Sequence, residues 1–149
     1  MMPISVGDMI IHDEYTTMGN KSSLHFAMRR FMERPQSVII VVDEYIRPLG
    51  VVYPKHMFTA IERGEDLDRC LVDSIMSTNI IKVKETDLIT DVIDKVKSRI
   101  AEGQEAEAII VVDDEGRLKG YFSLSEDEKE VMNQIQAIRH LKDILKEMD

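Results

Sequence analysis

One short segment occurs twice in this chain, and that repetition limits the fold more than any other feature. Ser-Val-Ile-Ile-Val-Val-Asp at 37–43 matches Glu-Ala-Ile-Ile-Val-Val-Asp at 107–113. The spacing is 70 residues (43 to 113), and Gly50 with Gly120 and Arg47 with Arg117 keep it. A repeat length close to half of the 149 residues implies a duplicated unit rather than a solenoid array. A chain of this length buries a real core without disulfides or metal.

Each copy shows the same order of elements. An extended stretch comes first, at residues 15–18 and 80–83. A helix follows in each copy. In the first, Leu24, Ala27, Met28, Phe31 and Met32 recur at helical spacing, with Ser22 and Ser23 as N-cap candidates. In the second, Leu88, Val92, Val96 and Ile100 line one face, with Thr86 as the N-cap candidate and Gly103 as the stop. The β-branched runs Val38–Val42 and Ala108–Val112 have the composition of strands covered on both faces. A polar turn then reverses the chain, with Gly116 suited to a positive φ. Return strands fall at 49–53 and Leu118–Ser123. Second helices start near Pro54 and near Ser125. The fold class is therefore α+β, β-α-β-β-α twice. The expected divisions are a first repeat at 5–64, a linker at 65–70 rich in acids (Glu65, Asp66, Asp68), a second repeat at 71–132 and a helical extension at 133–149.

Composition narrows the function. The formal charge is −9, from 19 basic and 28 acidic residues, which disfavours a phosphate backbone or an anionic membrane surface as partner. The single cysteine, Cys70, forms no internal disulfide and points to a reducing, cytoplasmic setting. No apolar run approaches the ~20 residues of a membrane helix, and the N-terminus lacks a secretory pattern. Enzyme chemistry is not visible. His12, His25, His56 and His140 are scattered without metal-ligand spacing, and no phosphate loop or dinucleotide glycine pattern occurs. Of the ten methionines, Met9, Met28, Met32, Met57 and Met76 read as fillers of core gaps.

The duplicated unit resembles a tandem CBS-domain pair, or Bateman module. The stretch from Asp73 through Ser-Ile-Met-Ser-Thr-Asn-Ile-Ile-Lys to Val83 is similar to that family's opening segment. Ile109-Ile-Val-Val-Asp113, the turn and Gly120-Tyr-Phe-Ser123 are similar to its central hairpin. The resemblance covers about residues 5–132. It implies two repeats related by pseudo-twofold symmetry, with clefts between them that hold adenosyl ligands (AMP, ADP, ATP, S-adenosylmethionine or NAD-type). It further implies homodimers and a regulatory role toward an attached or partner effector, with no cofactor required.

The same resemblance assigns site residues. The family's signature is Gly-x-apolar-Thr/Ser-x-x-Asp, whose carboxylate accepts the ribose hydroxyls and whose hydroxyl and helix amides meet phosphate. In the second repeat Ser123 matches the hydroxyl, and Glu126 takes the carboxylate position with one extra methylene. Ser123 to Glu126 and Ser125 to Glu128 also have capping-box spacing, a reading that needs no ligand. In the first repeat Tyr53 replaces the hydroxyl and His56 the carboxylate. There Lys55 and His56 either face a phosphate, or Lys55 is solvated and Tyr53 fills the cleft. Asn79, Ile80, Ala108 and Ile110 match the apolar walls around an adenine; ordinary core is their other reading. Few basic residues lie near the clefts, so ligands of low phosphate charge come first.

Past Glu126 the helical signal continues. Val131, Ile138 and Leu145 are spaced by seven, Leu141 and Met148 add d positions, and Gln134 interrupts the stripe. Ile135 and Ile144 widen it, so packing on the domain is also open. Either this helix pairs in a dimer, or it carries a signal to a downstream domain of a longer regulator. A ligand-free dimerisation module is the alternative function.

Overall fold

The computed structural model describes residues 5–6, 15–35, 37–104 and 106–123, with only the backbone of 122 and 123. The helical extension expected at 133–149, the helix start near Ser125, and Met9, His12 and His140 lie outside the described residues. The first repeat runs β1 (Tyr15–Gly19), α1 (Leu24–Glu33), β2 (Val38–Val42), β3 (Pro48–Val52) and α2 (Pro54–Glu62). The second runs β4 (Ile80–Lys84), α3 (Ile89–Ala101), β5 (Ala108–Val112) and β6 (Leu118–Ser123). A short 3-10 turn, Val72–Ser74, precedes β4.

Each repeat forms a three-stranded sheet, β1-β2-β3 or β4-β5-β6, with the middle strand parallel to the first and antiparallel to the third. Register repeats too. Val41 faces Gly50 and Val111 faces Gly120, and each ladder slips at the next residue of the middle strand. The apolar runs alternate between two cores. Ile39 and Val41 face the helices of the first repeat, and Ile109 and Val111 face α3. Val38, Ile40 and Val42 meet Ala108, Ile110 and Val112 in a third core where the two sheets pack together. This double coverage is why the runs carry no polar alternation.

The hairpin turns are built alike on aspartates. Asp43 Oδ1 accepts the amides of Tyr45 and Arg47 at 2.8 and 3.0 Å. Asp113 Oδ1 accepts those of Glu115 and Arg117, each at 2.9 Å. Gly116 has φ +82°, as the sequence predicts, whereas Ile46 holds the equivalent place in the first turn at φ +64°. A β-branched residue is strained in that region.

The segment leading into each repeat packs on the other. Val6 lies in the second repeat's core, and its amide donates to Asp87 O at 2.9 Å. Val72 lies in the first repeat's core and donates to Ser22 O at 2.8 Å. Fully burying a valine stabilises by about 1.5 kcal/mol, so the exchange ties the halves together. It also changes the helix starts. Ser23 is the N-cap residue of α1 but its side chain makes no cap bond; the amides of Leu24 and His25 donate to the carbonyls of Cys70 and Leu67, each at 2.9 Å. Thr86 does not cap α3. The chain turns at 85–87, Leu88 bridges Ser5, and the helix begins at Ile89 with Leu88 as its cap rather than on its apolar face. Met57 is buried and Met28 and Met76 pack on the first core, but Met32 is 74% exposed and fills no gap. Ile100, expected on the apolar face of the second helix, is likewise exposed.

Candidate functional site

At the end of β3 the chain enters α2 through Tyr53, which is extended at φ −98°, followed by Pro54 in the first helical turn. Proline there forfeits no helix hydrogen bond. Tyr53 and His56 lock each other. The Tyr53 amide donates to His56 Nδ1 at 2.9 Å, and the His56 amide donates to Tyr53 O at 2.9 Å. With Nδ1 accepting, the ring proton sits on Nε2. That nitrogen faces Glu107 Oε2 at 3.6 Å.

Glu107 comes from the other repeat, one residue before β5. Its carboxylate accepts the Lys55 ammonium and the Ser77 hydroxyl. Its amide donates to Asn79 O at 2.8 Å. Its carbonyl accepts the Tyr53 hydroxyl at 2.9 Å. Tyr53 spends its proton there, so the contact of 2.9 Å between the Tyr53 and Tyr121 hydroxyls is donated by Tyr121. Tyr121 also stands edge-on to Tyr15, with ring centroids 6.3 Å apart. Ser77 is itself fixed by two backbone bonds to Val51, of 2.9 and 2.8 Å.

The charges are set by these contacts. Burial pushes the Glu107 carboxyl up, but the hydrogen bonds from Lys55 and Ser77 and the charges of Lys55 and His56 outweigh it and hold it below the ordinary range. Burial pushes His56 down. Glu107 opposes that and Lys55 adds to it, and the net direction is downward. At neutral pH the cluster holds an ionised glutamate, a charged lysine and a neutral histidine.

Residues 72–126 match the family model described as the CBS domain. The fold is shared with a CBS domain-containing protein of unknown function from Bacillus anthracis strain Ames Ancestor, at TM-score 0.64 and 17% identity over 90% of this chain and 94% of that one. Residues 72–126 thus match the CBS domain, and the fold over most of the chain is the one CBS-domain proteins have. Similar too is the CBS domain pair of the protein MJ0100, solved with 5'-methylthioadenosine and S-adenosyl-L-methionine: TM-score 0.61, 20% identity, 89% of this chain and 98% of that one. The cytosolic domain of the Mg2+ channel MgtE, solved with ATP, matches at TM-score 0.56 and 24% identity, with 76% of this chain covering 44% of that one. No match was found among curated proteins.

The structure distributes the sequence-predicted residues as follows. Ala108 and Ile110 are fully buried in the core between the sheets, and Ile80 packs on that core. Asn79, through Glu107, joins Tyr53, Lys55 and His56 in one cross-repeat cluster, and the Arg99 guanidinium donates to its side-chain oxygen. The Ser123 backbone pairs with Ala108. Its side chain and Glu126 lie outside the described residues. Tyr53 is buried in the core between the sheets, and Lys55 is ion-paired with Glu107. Sequence reasoning missed Glu107 and Ser77. The available signal was asymmetry: Glu107 opens the second copy of the repeated segment where the first copy has Ser37.

Proposed function

We propose that this chain is a tandem CBS-domain pair, a regulatory module that senses an adenosyl ligand between its repeats and passes the signal to an attached or partner effector. The observation that carries the reading is the direct junction of the repeats at Tyr53, Glu107 and Tyr121. A ligand entering beside it and favouring one arrangement of the halves shifts their relation, which requires different affinities for the two states. The relatives solved with S-adenosyl-L-methionine and with ATP support the ligand class.

In this reading the second repeat supplies the main site. Ser123 and Glu126 hold the ribose and phosphate end, and Ile80, Ala108 and Ile110 form apolar walls. Tyr53, Lys55 and His56 form a weaker first-repeat site. The role is binding rather than catalysis. A cytoplasmic homodimer with the residues after 132 as the output helix completes the proposal.

The test is a pair of variants. Glu126→Ala weakens adenosyl binding, whereas Glu128→Ala alters stability alone. Equal affinity of the Glu126 variant and the parent for AMP, ADP, ATP and S-adenosylmethionine would remove this site. A second reading, a ligand-free dimerisation module, is favoured by the buried Tyr53 at the position where the family signature has a hydroxyl. It expects a dimer unchanged by nucleotides, and a monomer in sedimentation would end it.

A further inference from the structure

The first cleft already contains an anion, and the protein supplies it. Glu107 reaches from the second repeat to the start of α2 in the first. It occupies the Lys55 ammonium and the Ser77 hydroxyl and faces His56 Nε2 at 3.6 Å. These donors are the ones a phosphate group would need there. The Glu107 and His56 side chains are only 19% and 18% exposed. The Lys55 ammonium also stands 5.7 Å from the centre of the Tyr53 ring, so the cation is held from two sides. His56 also borders a groove of about 700 Å³ whose charged lining, Arg63, Glu65, Asp66, Arg69 and Asp73, is of mixed sign. The second cleft differs. At the position equivalent to Glu107 stands Ser37, buried, with its hydroxyl donating to Val38 O at 3.2 Å.

We infer that Glu107 is a specificity-determining residue: a built-in anion that closes the first cleft to phosphate-bearing ligands and makes the two clefts chemically unequal. A phosphate entering the first cleft meets a like charge at contact distance and must displace it from its donors. Unfavourable juxtaposition of this kind excludes a ligand more sharply than the absence of an attractive group. The inference rests on the reading that the pair holds ligands between its repeats. Its test does not depend on adenosine.

The test is Glu107→Gln in the full chain, titrated with inorganic pyrophosphate in a calorimeter. Glutamine keeps the shape and removes the charge. The variant binds pyrophosphate about tenfold tighter than the parent, or more, because a like charge is gone. Adding Lys55→Met abolishes that gain. A folded Glu107→Gln protein that binds no better than the parent overturns the inference, as does a gain that survives Lys55→Met. Should glutamine prevent folding, Glu107→Ser, the choice made at Ser37, carries the same comparison. On the unmodified chain, ring ¹⁵N spectra show the Nε2–H tautomer of His56 at neutral pH; the other tautomer overturns the arrangement. An adenosyl panel that fails on the parent removes the proposed function and leaves the pyrophosphate comparison standing.

Discussion

The contact between Tyr53 and Tyr121 joins the repeats at a point where its energy can be isolated. The Tyr53 hydroxyl makes two hydrogen bonds of 2.9 Å, one to Glu107 O and one from Tyr121. Both tyrosines are buried. A hydroxyl bond of this kind has a net worth of about 1 kcal/mol, and a buried group that loses its partner also loses its desolvation offset. Tyr53→Phe therefore costs about 2 kcal/mol, and Tyr121→Phe about 1 kcal/mol. In the double variant the shared bond is lost only once. The total is then about 2 rather than 3 kcal/mol, a coupling of about 1 kcal/mol. Urea unfolding of the four proteins measures this through the midpoint at constant m. Additivity within about 0.3 kcal/mol would show that the hydroxyls do not meet, and with that the description of the junction fails.

Three further outcomes follow from the geometry. A Cβ on Gly50 would lie 2.5 Å from Ser77 O and 3.0 Å from Met76 Cγ and Sδ. Gly50→Ala accordingly breaks the two bonds between Val51 and Ser77 and lowers stability by about 2 kcal/mol in chemical denaturation. Ile46 is left-handed at φ +64° and more than half exposed, so Ile46→Gly raises the melting temperature, with about 1 kcal/mol of strain removed. Stability also falls on acidification in two stages. His56 lies below its ordinary value in the folded state, so its contribution is complete above about pH 6.5 and is lost as pH falls from there toward the folded value. Glu107 is likewise lowered, and its contribution is lost below about pH 4.5. Melts from pH 7.5 to 3 check both; Glu107→Gln reduces the second stage, to which Asp43 and Asp113, also lowered, still contribute below about pH 3.8.

The strands, the hairpins and their duplication were legible because each is encoded locally. Five apolar β-branched residues followed by Asp and a turn fix a strand and its reversal, and the two copies reinforce each other. The helix starts were not legible. Ser22, Ser23 and Thr86 look like caps, yet α1 is capped by carbonyls of Leu67 and Cys70, and α3 starts after a bridge to Ser5. Those partners are distant in sequence, and no local pattern records them. The site divides in the same way. Tyr53, Lys55 and His56 follow from their place after Gly50. Their partner Glu107 is 52 residues from Lys55, and only the packing of one repeat against the other brings it there. Met32 shows the converse limit: helical spacing fits it to the apolar face, but α1 turns it to solvent.

In the proposed function a ligand binds between these repeats. Calorimetric titration of nucleotide-stripped protein with AMP, ADP, ATP and S-adenosylmethionine tests it most directly. The expected result is saturable binding near one site per chain for at least one of them, with a rise in stability of about 2.7 kcal/mol at a hundredfold excess over the dissociation constant. Flat isotherms across all four, on folded protein, would contradict it.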